Sequence, residues 1–126
     1  MTDNTLSGRR VLLVEDEMII AMLLEDMLDD LGCCVVATAS RPAQALAAIE
    51  SADLIEAAVL DLNLDGQMSF GVADALAERG IPFLFATGYG DAGLTERHRG
   101  RPVLQKPFQR DDLGRTLQTL FASKQR

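Results

Sequence analysis

Five polar residues, far apart along the chain, lie at or just past the ends of short apolar runs. They are Glu15, Asp16, Asp61, Thr87 and Lys106. Three carboxylates close together repel one another, which raises their pKa values unless a cation lies among them. A hard divalent ion such as Mg²⁺ prefers oxygen ligands from one or two carboxylates, with water or phosphate oxygens completing its shell. With a lysine and a hydroxyl added, the set predicts a site that holds a phosphoryl group, and a carboxylate can itself be the nucleophile.

The elements that must position these residues are predicted by alternating strand and helix patterns. Short apolar runs bounded by polar turns are typical of buried strands, and they occur at residues 11–14, 34–39, 57–61, 81–86 and 103–105. Amphipathic segments between them predict helices. Five strands separated by helices indicate an α/β fold with a five-stranded parallel sheet and helices on both faces. Ligands bind beyond the carboxyl ends of such strands, so the five polar residues are expected to meet there.

The helix patterns also predict which side chains face the sheet. Glycine ends the first and third helices, at Gly32 and Gly80. Residues 91–100 form at best a short helix, because Leu94 is their only large aliphatic side chain. The residues expected to face inward are Ile20, Leu23, Leu24, Met27, Leu28 and Leu31 in the first helix, Ala45, Leu46 and Ile49 in the second, Val72, Ala73 and Leu76 in the third, and Leu113, Leu117, Leu120 and Phe121 in the last.

Length and composition indicate one domain with a substantial core. The chain has 126 residues, of which 48% are hydrophobic. Its longest uninterrupted apolar run, residues 18–24, is too short to span a bilayer or to act as a secretory signal. A cytoplasmic protein that does not associate with membranes is therefore expected. Cys33 and Cys34 are adjacent, and a bridge between neighbours would be strained, so both are expected to be reduced and buried.

The charge of the chain is negative and unevenly distributed. A net charge of −7 argues against nucleic-acid binding, because phosphate contacts require a basic surface. Residues 1–96 hold 17 acids and 4 Lys or Arg, a charge of −13, whereas residues 97–126 hold 2 acids and 8 Lys or Arg, a charge of +6. The basic part is either an ordinary solvated face or a docking surface for an acidic partner.

Four short motifs resemble the receiver domain of two-component response regulators. They are VEDE at residues 14–17, LD at 60–61, ATG at 86–88 and KPF at 106–108. The resemblance covers residues 9–123, which leaves 1–8 and 124–126 as expected flexible termini. It implies the flavodoxin-like strand order 2-1-3-4-5.

The resemblance also implies a role for each acidic residue. Asp61 would be the phosphoacceptor. Asp16 would bind Mg²⁺, or Mn²⁺ as an alternative, directly, and Glu15 would bind it through water. The backbone carbonyl of Asn63 would be another ligand.

The remaining roles concern the phosphoryl group and the response to it. Thr87 would bond a phosphoryl oxygen, Lys106 would pair with the phosphoryl charge, and the peptide bond before Pro107 would be cis. Receivers usually carry an aromatic residue three positions before the lysine, where this chain has Val103. Tyr89 is either a substitute for that aromatic switch residue or an ordinary half-buried loop side chain.

The run PFLFATGYG at residues 82–90 resembles a receiver subfamily with a Phe-Ala-Thr-Gly signature, often stand-alone and linked to HWE-type histidine kinases. The implied function is that of a phosphorylation-controlled binding module, not of an enzyme acting on an outside substrate. A sensor histidine kinase would supply the phosphoryl group. The protein, a monomer or weak dimer, would then signal to an unknown partner by docking through residues 88–101 and the last helix, or act as a phosphate sink.

Two other classes of protein remain open at this point. A metal-dependent phosphohydrolase would use the same carboxylates, although no lid insertion is evident in the sequence. A pseudo-receiver would keep the fold and dock without being phosphorylated. The complete set of site residues argues against this second alternative, and Val103 keeps it open.

Overall fold

The central layer of the protein, seen in a computed structural model, is a five-stranded parallel sheet. The structure describes residues 6–51, 54–64, 66–88 and 100–124. The elements in chain order are β1 (Arg10–Val14), α1 (Met18–Asp30), β2 (Cys34–Ala39), α2 (Pro42–Ser51), β3 (Ala57–Asp61), β4 (Asn63–Leu64), β5 (Gln67–Met68), α3 (Phe70–Glu78), β6 (Phe83–Thr87), β7 (Val103–Gln105) and α4 (Arg110–Lys124).

The strand order is β2-β1-β3-β6-β7, and all neighbouring pairs are parallel. This confirms the predicted order 2-1-3-4-5, because β4 and β5 form a separate two-stranded hairpin. Val14 pairs with Leu60, Asp61 with Ala86, and Thr87 with Gln105. The carboxyl ends of β1, β3, β6 and β7 therefore lie along one edge of the sheet.

Two apolar clusters cover the two faces of the sheet. One packs β1, β3 and β6 against α2 and α3, and the other packs the same strands against α1 and α4. All residues of β3 and β6 are buried, as continuous apolar strands require. Gly114 in α4 allows a close approach to α1, since a Cβ atom there would lie 2.9 Å from Leu31 Cδ2. Helices therefore cover the sheet on both of its faces.

The predicted inward faces of α1 and α2 were partly wrong. Ala21, Leu24 and Leu28 are buried in α1, but Leu23 is 50% exposed. In α2, Leu46 is 39% exposed. Apolar residues cover more of each helix surface than the sheet can contact, so an apolar stripe alone does not fix which residues face inward.

The segment after Asp61 contains the β4–β5 hairpin. Gly66 has φ 86° and allows the tight turn between the two short strands. Cys33 is buried as expected, but Cys34 is exposed, because successive residues entering a strand point to opposite sides. At the amino-terminal side, Leu6 is buried, so part of the expected flexible terminus packs against the core.

In the described parts of the chain, no helix is both long and apolar enough to cross a bilayer.

Candidate functional site

The ends of four strands bring the predicted site residues to one edge of the sheet. Glu15 follows β1, and its amide donates to Ala39 O at 2.9 Å. Asp61 and Thr87 are the last residues of β3 and β6. Lys106 follows β7, and its amide donates to Thr87 O at 2.7 Å. Backbone hydrogen bonds between strands therefore set the spacing of the side chains.

Three carboxylates form a cluster at this edge. Glu15, Asp16 and Asp61 each offer an oxygen atom, and these atoms lie within 4.8 Å of one another. Glu15 is 1% exposed and Asp61 is 7% exposed, whereas Asp16 is half-buried. Buried carboxylates are costly without a counter-charge, so this cluster requires a cation.

Lys106 supplies one positive charge to the cluster. Its Nζ atom lies 2.8 Å from Glu15 Oε1 and 3.3 Å from Asp61 Oδ2. The peptide bond between Lys106 and Pro107 is cis, as the resemblance implied. The lysine therefore bridges the two buried carboxylates.

The ionisation of Asp61 and Lys106 reflects this arrangement. Burial, together with the Glu15 charge, raises the pKa of Asp61 to about 7, although Lys106 opposes the shift. Burial by itself would lower the pKa of Lys106, but its hydrogen bond to Glu15 and the charges of Asp61 and Glu15 raise that pKa above its usual value. At neutral pH the lysine is therefore charged, and Asp61 is close to its own titration point.

Backbone amides orient the remaining carboxylate oxygens. The amide of Glu17 donates to Glu15 Oε2 at 3.1 Å, and the amide of Asn63 donates to Asp61 Oδ1 at 3.3 Å. Both oxygens of Glu15 thus have protein partners. Both oxygens of Asp61 have protein partners as well, since Lys106 contacts its Oδ2 atom, so Asp16 is the most accessible carboxylate of the cluster. The water-mediated role of Glu15 stays a prediction.

The donor set fits a hard divalent cation. All the cluster's candidate ligands are carboxylate oxygens, which Mg²⁺ prefers. With the three acids ionised and the lysine charged, the formal charge of the site is −2, which a divalent ion balances. Direct binding of the ion by Asp16 and Asp61 stays a prediction, as does a role for the Asn63 carbonyl.

We expect Mg²⁺ to raise the melting temperature of the protein, because it relieves repulsion that exists only in the folded state. At a concentration ten times its Kd, the gain is about 1.4 kcal/mol, or roughly 5 °C for a domain of this size. Differential scanning calorimetry with and without EDTA measures the shift. Asp16→Asn should reduce it. An equal shift in that variant would place the ion elsewhere.

The predicted switch residues are only partly described. Thr87 is 2% exposed at the end of β6. Val103 is half-buried opposite Phe85 in the β6–β7 pairing and packs against the core. Tyr89 lies outside the described residues, so its role as a switch residue stays a prediction.

Sequence reasoning missed Ser69, which holds the hairpin beside Asp61. Ser69 is fully buried, and both its amide and its hydroxyl donate to Leu62 O, at 3.0 and 3.2 Å. This closes the loop that carries Asn63 back onto the end of β3. A serine just before a helix predicts an N-cap, but Ser69 makes no side-chain capping bond to α3. No local pattern indicated its partner.

Comparison with known proteins identifies a family match and several relatives. The family described as response regulator receiver domain matches residues 11–118. The transcriptional regulatory protein PdtaR of Mycobacterium tuberculosis is 32% identical over 111 residues, covering 83% of this chain and 53% of PdtaR. The chain thus spans about half the length of the curated relatives that it matches.

Solved structures of two further proteins are similar to this one. The solution structure of SdrG from Sphingomonas melonis Fr1 is 49% identical, with a TM-score of 0.80, and the match covers 90% of this chain and 97% of SdrG. The BeF3-activated conformation of SdrG from Pseudomonas melonis Fr1 is 48% identical, with a TM-score of 0.77 and the same coverage. The receiver domain of PhyR from Erythrobacter litoralis is 28% identical, with a TM-score of 0.81 and 92% of each chain covered.

Proposed function

Because the chain belongs to the family of response regulator receiver domains, we propose that it accepts a phosphoryl group on Asp61 from a histidine kinase in a Mg²⁺-dependent reaction. One observation carries this proposal. The Asp61 carboxylate lies between two other carboxylates and Lys106, at the edge of the sheet where ligands bind. The BeF3-activated conformation of SdrG, which is 48% identical, supports an activatable site in the same fold.

The chain's own residues account for the transfer step. An ionised Asp61 oxygen forms a bond to phosphorus while the bond between phosphorus and the donor histidine nitrogen breaks. The bonding electrons go to the imidazole, which carries a proton on its other nitrogen and therefore leaves as neutral histidine. Lys106 stays protonated because its pKa is raised, so it donates to a phosphoryl oxygen. Asp16 and Asp61 would hold Mg²⁺, which would supply positive charge to offset repulsion between these carboxylates and the phosphoryl oxygens.

A docking surface for the kinase is available beside the site. Four large apolar side chains on consecutive turns of α1 are exposed. They are Met18 (76%), Ile19 (80%), Met22 (58%) and Leu23 (50%). An exposed apolar patch of this kind is typical of a protein interaction site. Because α1 begins just after Glu15 and Asp16, a kinase helix bound there would bring its phosphohistidine to Asp61.

The phosphoryl group would change the charge and the hydrogen bonding at the end of β6. It adds about −1.5 to −2 charges, which would draw in the Thr87 hydroxyl and Lys106. The resulting conformational change would involve β6, through Thr87, and β7, through Val103. The signal would pass by docking to a partner, or the chain would drain phosphate from a shared kinase.

Acetyl phosphate and intact mass spectrometry test the proposal directly. With Mg²⁺, we expect one labile adduct of a single phosphoryl group per chain, and pretreatment with EDTA should prevent it. Steady turnover of a generic phosphoester without an adduct would favour a phosphohydrolase. Absence of any adduct under conditions that label a known receiver would favour a pseudo-receiver.

We expect Thr87→Ala to accept the phosphoryl group but to lose much of the structural response. Without the hydroxyl, the phosphoryl group loses its side-chain hydrogen-bond donor at the end of β6. The measurement is the change in backbone amide chemical shifts along β6 and β7 on phosphorylation. Thr119→Ala, on the exposed face of α4, is the matched control. A full response in Thr87→Ala would remove this residue from the switch.

A further inference from the structure

A groove of about 470 Å³ lies where β6 and β7 begin, at the edge of the sheet opposite the carboxylate cluster. Its walls come from the end of α3, from the turns that lead into the two strands, and from α4. A five-residue strand spans roughly 16 Å, so the groove is separate from the phosphoryl site. The lining residues that matter here are Ala77, Ile81, Pro82, Arg101, Pro102 and Leu120.

Arg101 gives the groove a fixed positive charge. Its guanidinium carbon lies 4.4 Å from the centre of the Phe83 ring, and Phe83 itself is fully buried. Among the described residues, no carboxylate lies within ion-pair distance of this guanidinium. A guanidinium lying on a ring keeps its N–H donors available around its edge. Arg101 is therefore held in place and still able to bind a carboxylate.

The surroundings of the groove favour an anionic ligand with an apolar part. Among the described residues that line the groove, Arg101 carries the only charge, and that charge is positive. A basic surface attracts acidic partners. Ile81, Pro82 and Leu120 present apolar walls that would bury an aliphatic side chain.

We propose that this groove binds an acidic peptide segment of a partner protein. An aliphatic side chain of the peptide would fill the apolar part, and a neighbouring carboxylate would pair with Arg101. Arginine is one of the residue types that most often dominate the binding energy of protein interfaces. Because the groove lies at the other edge of the sheet, the peptide and a kinase at Asp61 can be bound at the same time.

The test is a titration of the full chain, labelled with ¹⁵N, with a capped pentapeptide of alternating glutamate and leucine. We expect saturable shifts of the amides of Ile81 and Arg101. Arg101→Gln should raise the Kd about tenfold, as expected for one charge-assisted contact. Arg110→Gln removes the same charge from the same basic segment and should leave the Kd within about twofold.

A second variant keeps the test valid if Arg101→Gln disturbs Phe83. Ala77 is exposed in α3, so Ala77→Glu preserves the fold while placing a negative charge at the groove. It should abolish binding. Asp61→Asn should bind the peptide normally, so that failure here and failure of phosphorylation remain distinguishable.

Four outcomes would overturn the proposal. The first is equal binding of a peptide with lysine in place of glutamate, and the second is equal loss of affinity in Arg101→Gln and Arg110→Gln. The third is a Kd for hexanoate, measured from the same amide shifts, that is no higher than the Kd for the peptide, which would indicate that the ligand is a small anionic amphiphile. The fourth is a change in the chemical shifts of these amides when the protein is diluted without peptide, which would indicate that a second copy of the chain occupies the groove.

Discussion

Asp61→Asn should abolish phosphoryl labelling by acetyl phosphate and, at the same time, make the metal-free protein more stable at pH 8. An amide has no ionised oxygen to attack phosphorus, so the adduct measured by intact mass should be absent. The gain in stability follows from the environment of Asp61, whose pKa is raised from 3.8 to about 7 by burial and by Glu15. The folded state therefore disfavours the ionised carboxylate, and asparagine removes that cost.

The sign of the pH dependence follows from the raised pKa. Below about pH 4 the carboxyl group is protonated in both the folded and the unfolded protein. As the pH rises towards 7, the unfolded chain loses the proton while the folded protein retains it, so the wild-type protein loses stability over this window. The advantage of Asp61→Asn should reach at most about 4 kcal/mol at pH 8 and about 2 kcal/mol at pH 5.

Urea unfolding at the two pH values, with EDTA present, measures this advantage. Asp30→Asn is the matched control, because Asp30 is 59% exposed in a surface pair with Arg110 and should change the unfolding free energy little at either pH. If the stability gained by Asp61→Asn did not grow between pH 5 and pH 8, the ionised form of Asp61 would not be destabilised in the folded protein. Persistent labelling of the variant would place the phosphoryl group on another residue.

The positions of Glu15, Asp61, Thr87 and Lys106 could be predicted because each depends on a strand end. Short apolar runs fix where strands end, and a right-handed parallel arrangement puts those ends at one edge. The sheet order was confirmed for the same reason. The β4–β5 hairpin did not disturb it, because it lies beyond β3 and pairs only with itself.

The features that sequence could not provide depend on contacts between distant parts of the chain. Leu23 is exposed because the rotation of α1 is set by its packing on the sheet, which buries the smaller Ala21 instead. Ser69 bonds Leu62 across the hairpin, a pairing that no periodicity encodes. The 2.8 Å contact between Lys106 and Glu15 joins residues 91 positions apart. The sequence predicted that Lys106 and Glu15 would be neighbours, but only the structure shows that Lys106 bridges Glu15 and Asp61.

That bridge leads to the second large effect, a loss of stability in Lys106→Met when Mg²⁺ is absent. The variant keeps the aliphatic part of the side chain but leaves Glu15 and Asp61 buried without their cation. Removing one partner of a fully buried pair costs about 3 to 5 kcal/mol. Because the Lys106 side chain is 23% exposed, we expect about 2 to 3 kcal/mol at pH 8. The loss should be smaller at pH 5, where Asp61 is protonated and carries no charge to be balanced.

Mg²⁺ should restore more stability to Lys106→Met than to the wild-type protein, because the variant lacks the one cation that contacts the cluster among the described residues. Urea unfolding with and without Mg²⁺ measures both gains. Arg110→Met is the matched control, since it breaks an exposed pair with Asp30 and should cost under about 1 kcal/mol whether or not the metal is present. If the two variants lost the same stability, or if Mg²⁺ stabilised Lys106→Met no more than wild type, then Lys106 would not be balancing the charge of the cluster. The lysine and the metal ion act on the same carboxylates, so the effect of removing one has to depend on the presence of the other.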